Sequence, residues 1–195
     1  MLYNWLTGNY VEVFGVITSL IYLYFSVRQI IWLWPFGILS SALFIMIFFS
    51  SKFYADMGLQ VYYLGISIYG WYYWLRGGHS DTGREKPPVI RISRQLIWQL
   101  SAAALALFFG IVSLLKYLTD SDVAWGDGFT TAASIVATWM LARKILEHWL
   151  VWILVDAVAA ALYFYKGLYP STVLYIIYSV IAILGYFQWK KLLLK

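Results

Sequence analysis

The chain has 195 residues, of which 63% are hydrophobic, 21% aromatic and only 12% charged. A water-soluble domain of this size cannot hide so much apolar surface, so the composition excludes that class and indicates an integral membrane protein. The alternation of apolar and polar residues that a transmembrane barrel requires is absent, and basic residues between apolar segments are better explained by membrane topology than by nucleic-acid binding.

Apolar runs of about 20 residues, the length that crosses a hydrocarbon core of about 30 Å, predict seven transmembrane helices. In chain order the predicted spans are 11–31, 32–50, 56–75, 96–117, 128–142, 149–165 and 169–189. A linker rich in Gly, Pro and charge, 76–94, is predicted to be solvated. The predicted parts are a first three-helix repeat (1–75), a cytoplasmic linker with a connector helix and an outer loop (76–127), and a second three-helix repeat (128–195).

The basic residues segregate when the predicted loops are assigned alternately to the two sides of the membrane. One side receives eleven Lys and Arg residues, and the other receives only Lys52, Lys116 and Lys166. Because cytoplasmic loops carry the excess of Lys and Arg, the N-terminus is predicted to face outwards and the C-terminus to lie in the cytoplasm.

An internal repeat is indicated by two similar helix ends. The third span ends in "GWYYW" (Gly70–Trp74) and the seventh in "GYFQW" (Gly185–Trp189), 115 positions later. Two further pairs have the same separation, namely Tyr54 with Tyr169 and Tyr63 with Tyr178. Trp34 matches Trp152 once a short gap is allowed. The pattern predicts a parallel 3+1+3 duplication, an architecture that places a substrate site between its halves near mid-membrane.

Asp156 is a carboxylate inside an apolar run. Trp149, Trp152 and Asp156 are spaced at i, i+3 and i+7, so they share one helix face. A charge facing lipid costs roughly 2.5–3.5 kcal/mol on insertion scales, so this face is predicted to point into the bundle. Two interpretations stay open: Asp156 pairs with a neighbour to hold the fold, or it borders the substrate path.

Span three carries an amide on a polar face. The side-chain amide of Gln60 both donates and accepts hydrogen bonds, so its best partner also has a donor and an acceptor, as a ligand carboxamide does. The alternative is a hydrogen bond between helices. Trp74 and Trp189 are expected in the interfacial belts. The aromatic faces, hydroxyls, amide and carboxylate suit a flat ring attached to a sugar. The candidate substrate-binding residues are Trp34, Gln60, Tyr63, Ser67, Trp149, Trp152, Asp156, Tyr175 and Tyr178.

Four segments resemble the PnuC family of vitamin transporters. They are "WPFGILSSALF" (Trp34–Phe44), "YADMGLQVYYLGISIYGWYYW" (Tyr54–Trp74), "MLARKILEHWLVWILVDAVAAALYFYKGLYPSTVLY" (Met140–Tyr175) and "GYFQW". The resemblance covers nearly the whole chain except the linker and the fourth span. It departs at His148, where an Asn is expected before the Trp.

The resemblance implies a fold like that of the SWEET sugar transporters, a homotrimer, and a place in the bacterial cytoplasmic membrane. It also implies facilitated diffusion of nicotinamide riboside, made unidirectional by intracellular phosphorylation, with Trp152 and Gln60 at the substrate's ring and amide. Members also carry thiamine or riboflavin. No cofactor, metal or nucleic-acid partner is expected, and the sequence contains no cysteine.

The sequence bears on three alternatives to vitamin transport. A retinal-binding protein needs a lysine within the seventh span, and residues 169–189 contain none. An intramembrane enzyme is disfavoured because His79 and His148 fall in predicted loops and no HExxH or GxSxG pattern occurs, although Asp56 and Asp156 leave aspartyl chemistry open. A channel also stays open, since only non-saturating flux would distinguish it.

Overall fold

The structure is a computed structural model, and it describes residues 10–50, 54–76, 87–119 and 122–193. In these ranges the chain forms seven helices: α1 (Tyr10–Val27), α2 (Leu33–Ser50), α3 (Tyr54–Arg76), α4 (Arg94–Leu118), α5 (Ala124–Ala142), α6 (His148–Tyr165) and α7 (Tyr169–Lys190). Each predicted span coincides with one helix, with bounds that agree within four residues. For the described residues, the prediction of an all-α fold with seven helices is confirmed. By length and apolar composition, α4, α6 and α7 qualify as membrane spans among the described residues.

The chain divides into two compact units, Met1–Leu64 and Gly65–Lys195, and the boundary falls within α3. The predicted three-part division, at residues 1–75, 76–127 and 128–195, stays a prediction. In the first unit, α1 packs against α2, and the rings of Phe25 and Phe36 lie 5.7 Å apart.

The second unit packs its last four helices in chain order, α4 on α5, α5 on α6, and α6 on α7. A small residue lets α4 and α5 approach closely. A Cβ added at Gly128 would lie 2.5 Å from Cγ2 of Val112, so only glycine fits this crossing. Small residues are common at such helix crossings in membrane proteins, because they let the two backbones approach closely.

Two turns in the chain have the same backbone geometry. After α1, Gln29 has a φ of 54° and the N–H of Ile30 donates to the carbonyl of Phe25. After α5, Lys144 has a φ of 54° and the N–H of Ile145 donates to the carbonyl of Met140. In this type of helix C-cap, the residue after the helix adopts the left-handed conformation and is usually glycine. Here Gln29 and Lys144 adopt that conformation.

The helix bounds themselves recur at a separation of 115 positions. The pairs are the helix ends Val27 and Ala142, the helix starts Leu33 and His148, the ends Ser50 and Tyr165, and the starts Tyr54 and Tyr169. The left-handed residues Gln29 and Lys144 are separated by the same number. This ungapped register pairs Trp34 with Trp149, which the helix starts favour over the gapped match of Trp34 with Trp152.

The end of the linker, Pro87–Ser93, is called the strap. Ile90 in the strap forms an isolated parallel bridge with Ile145 in the turn between α5 and α6. Ile92 packs against a buried cluster that contains Met140 and Ile145. The expectation of a solvated linker holds for part of the strap, since Pro88, Ile90, Arg91 and Ser93 are exposed. It does not hold for Val89, which is buried, or for Ile92, which packs against the cluster. Residues 77–86 of the linker lie outside the described residues.

Candidate substrate-binding residues

The inner face of α6 carries the carboxylate in question. Trp149 and Asp156 are both buried, and Asp156 is only 5% exposed. Asp156 is the ninth residue of this 18-residue helix, so it lies halfway along the span. Tyr163 follows on the same face, and each of these three residues is about 10 Å further along the axis than the one before. The prediction that Asp156 points inward is confirmed, whereas its contact with substrate stays a prediction.

Helix α7 runs antiparallel to α6, and its inner face completes the packing. Trp149 at the start of α6 meets Trp189 at the end of α7, with ring centroids 5.8 Å apart. At the other end of the pair, the rings of Tyr163 and Tyr175 are 5.1 Å apart. Gly185 lies under Trp149, and a Cβ there would be 2.7 Å from three carbons of the indole.

A tyrosine cluster lies beside Asp156. It consists of Tyr163, Tyr175 and Tyr178. Tyr175 interacts electrostatically with both Tyr163 and Asp156. Tyr175 and Tyr178 pack edge to face at 5.4 Å. The structure thus brings together Asp156, Tyr175 and Tyr178 of the predicted set and adds Tyr163. The sequence signal for Tyr163 is its position seven residues after Asp156.

A second aromatic group, the indole cluster, consists of Trp74, His148, Trp149 and Trp189. The His148 ring packs 4.5 Å from Trp149 and 4.7 Å from Trp189, and Trp74 lies 6.4 Å from Trp189. All four side chains are buried. The expectation that Trp74 and Trp189 belong to an interfacial belt is therefore wrong, because both indoles pack against protein. His148 was expected in a loop, but it is the first residue of α6 and fully buried.

The polar atoms of the indole cluster are unequally paired. The Nε1–H of Trp74 donates to the carbonyl of Ala142 at 3.1 Å. Nδ1 of His148 lies 2.7 Å from the carbonyl of Ile145, so it carries the proton, which leaves Nε2 as an acceptor. Within the described ranges, neither Nε2 of His148 nor Nε1 of Trp149 has a hydrogen-bond partner.

Two cations lie at the turn between α5 and α6, and one of them, Lys144, borders the indole cluster. The ammonium group of Lys144 lies 4.4 Å from the centroid of the Trp74 ring, within the range of a cation–π contact. The guanidinium of Arg143 donates to the hydroxyl of Tyr69 at 2.9 Å and lies 4.9 Å from the Tyr73 ring. The hydrogen bond to Tyr69 raises the pKa of Arg143, so the group stays charged.

The remaining predicted residues are divided between the two units. Ser67 is buried and Trp152 is half-buried, and both belong to the second unit. Trp34 is fully buried in the first unit, where Gln60 and Tyr63 are half-buried. Their joint role stays a prediction. Among the described residues, no cluster of His, Asp and Glu has the composition of a metal site.

Comparison with known proteins decides the family. The sequence profile described as the nicotinamide mononucleotide transporter family matches residues 9–191. The chain belongs to this family. It is 25% identical to the nicotinamide riboside transporter PnuC of Escherichia coli K12, over 93% of this chain and 85% of that protein. It is 30% identical to the riboflavin/roseoflavin transporter RibM of Streptomyces davaonensis, over 91% of this chain and 83% of that protein.

A solved structure shows the fold of this family of transporters. The crystal structure of the vitamin B3 transporter PnuC matches with a TM-score of 0.73 and 21% identity, over 98% of this chain and 85% of that one. The resemblance to the PnuC family, inferred from the sequence, is confirmed. The protein is a multi-pass membrane protein of a vitamin transporter family, and these relatives are named as transporters rather than enzymes.

Proposed function

We propose that the protein carries nicotinamide riboside across the bacterial cytoplasmic membrane by facilitated diffusion, with the vitamin trapped inside by phosphorylation. The observation that carries the proposal is the buried carboxylate of Asp156, halfway along α6 and beside the tyrosine cluster, in a chain of this family. A buried charge at this depth is costly, and such residues mark substrate pathways in membrane proteins.

The chemistry of the residues fits the two halves of the proposed substrate. A ribose presents hydroxyl donors, which a carboxylate accepts in strong charge-assisted hydrogen bonds. A positively charged pyridinium ring is attracted to the faces of Tyr and Trp, which this chain supplies on α6 and α7. Asp156 and the tyrosine cluster therefore suit the sugar, and Trp34, Trp149 and Trp152 suit the ring. Gln60 is proposed to pair with the carboxamide, with Tyr63 and Ser67 on the same helix face.

The transport cycle is proposed to use two parallel three-helix repeats, α1–α3 and α5–α7, joined by α4. Helix bounds and left-handed caps that recur after 115 positions support this 3+1+3 arrangement. Rocking of the repeats would expose one central site to each side in turn. The homotrimer, the outward N-terminus and the cytoplasmic C-terminus belong to the same proposal.

Titration calorimetry tests the substrate. Purified protein is titrated with nicotinamide riboside, thiamine and riboflavin under the same conditions, and nicotinamide riboside is expected to bind most tightly. The 30% identity to RibM makes riboflavin the second candidate. Tighter binding of riboflavin or thiamine would replace the proposed vitamin while retaining a vitamin carrier. Absence of binding by all three would refute the proposed function.

Uptake into proteoliposomes tests the mechanism. Facilitated diffusion predicts saturable exchange of labelled substrate without a sodium or proton gradient. Flux that rises linearly with substrate would indicate a channel, and flux that requires an ion gradient would refute uncoupled transport.

Cysteine labelling tests the orientation, because the native chain contains no cysteine. Single cysteines at the exposed positions Tyr117 and Lys190 lie in predicted outer and cytoplasmic positions. An impermeant maleimide added to intact cells is expected to label Tyr117→Cys and to spare Lys190→Cys. The reverse pattern would invert the topology.

A further inference from the structure

The strap is bonded to both sides of the turn that precedes α6. The N–H of Ile90 donates to the carbonyl of Lys144 at 3.0 Å, and the N–H of Leu146 donates to the carbonyl of Ile90 at 2.9 Å. A third bond comes from a side chain, because Oε2 of Glu147 accepts the N–H of Ile92 at 2.9 Å. Three hydrogen bonds therefore hold this short segment to the turn.

Glu147 connects the strap to the first turn of α6. It stands at the N-cap position of that helix, yet its side chain caps no helical N–H and reaches the strap instead. Its carbonyl accepts the N–H of Leu150 at 3.0 Å and that of Val151 at 3.3 Å. One residue thus joins the backbone of the strap to the backbone that begins the helix.

The rotation of α6 about its own axis decides which side chains face inward. With 3.6 residues per turn, one residue of register change rotates a helix by about 100°. Such a change would turn Trp149 and Asp156 away from α7, and a smaller rotation would still misdirect them. Because His148 and Trp149 directly follow Glu147, the position of Glu147 affects the direction of every side chain on the inner face of α6.

We propose that Glu147 is a positioning residue, which with the strap fixes the rotation of α6 and so aims Trp149, Trp152 and Asp156 at the substrate. This inference rests on the proposed function for its effect on binding, and on the hydrogen bonds at Ile90 and Ile92 for the contact itself. The strap also ties the start of α4 to the turn, so the connector helix and the second repeat are held together at this end.

Three substitutions at one position test the proposal. Glu147→Gln keeps a side-chain oxygen at the same reach, Glu147→Leu keeps the bulk without an acceptor, and Glu147→Asp keeps the charge on a shorter arm. The Leu and Asp variants are expected to bind nicotinamide riboside roughly tenfold more weakly, because neither places an acceptor at the Ile92 amide. The Gln variant is expected to bind within about threefold of the parent, because it keeps an acceptor there but a neutral one, which is weaker than a charged one. If the Leu variant fails to fold, the Asp variant makes the same comparison.

Two measurements separate positioning from stability. Hydrogen exchange at the Ile92 amide is expected to accelerate in the Leu and Asp variants, which reports the contact whatever the substrate is. Calorimetry and melting temperature are then measured on the same samples. Unchanged exchange would refute the contact. Faster exchange and a lower melting temperature with unchanged affinity would refute positioning and leave Glu147 a purely structural residue. A parent protein that binds none of the three vitamins would refute the proposed function and the positioning role with it. The exchange measurement would still test the hydrogen bond between Glu147 and Ile92.

Discussion

Gly185→Ala tests the packing of Trp149 against α7. The added Cβ would lie 2.7 Å from Cε2, Cζ2 and Cη2 of the Trp149 indole, a distance that real Cβ atoms essentially never show. The rigid ring cannot bend away, because His148 and Trp189 pack against it at 4.5 and 5.8 Å. Overpacking of this kind costs about 1–3 kcal/mol in the free energy of unfolding.

Gly110→Ala is the matched control for this substitution. Gly110 is an exposed residue within α4, and a Cβ there would meet nothing within 4 Å. Both substitutions gain the helix propensity of alanine, about 1 kcal/mol, so the difference between the two variants isolates the clash. For a chain of this length, each kcal/mol shifts the melting temperature by roughly 2–4 °C.

The assay is thermal unfolding of the parent and both variants in one detergent, followed by tryptophan fluorescence. We expect Gly185→Ala to melt at least 2 °C below Gly110→Ala. We also expect weaker binding of nicotinamide riboside, since the displaced indole is a proposed contact. Equal melting temperatures for the two variants would show that the Trp149 ring does not lie against Gly185, and the reasoning about this face of α6 would be wrong.

Three further predictions address the candidate site and its surroundings. Asp156→Asn is expected to weaken nicotinamide riboside binding by roughly tenfold in calorimetry, because a neutral amide accepts hydrogen bonds from the ribose less strongly; unchanged affinity would exclude the sugar contact. Gln60→Leu should weaken binding of the riboside more than binding of an analogue without the carboxamide, whereas Gln95→Leu on an exposed position of α4 should affect neither; equal losses for both ligands would count against the role of Gln60. Lys166→Ala removes the 3.4 Å ion pair with Asp122 and is expected to change the free energy of unfolding by less than about 0.5 kcal/mol in chemical denaturation, since both side chains are exposed; a loss above 1 kcal/mol would contradict this.

The contacts that the sequence analysis missed all join residues far apart in the chain. The indole cluster joins Trp74 to Trp189, and the strap joins Ile92 to Glu147, across 115 and 55 positions of the chain. An aromatic residue near a helix end has the same local pattern whether it faces lipid or a neighbouring helix. A linker rich in proline and charge likewise gives no sign that its last residues bond to a distant turn. Such pairings depend on which helices become neighbours.

The sequence by itself determined the seven helices and the inward direction of Asp156. Long apolar runs must form helices in a bilayer, because every backbone hydrogen bond has to be made internally, and a carboxylate inside such a run must avoid lipid. Only the tertiary structure decided that Tyr163 packs against Tyr175, that His148 packs between Trp149 and Trp189, and that the strap holds the start of α6. The periodicity of a helix specifies which residues share a face, whereas the partner of that face depends on the packing of the other helices.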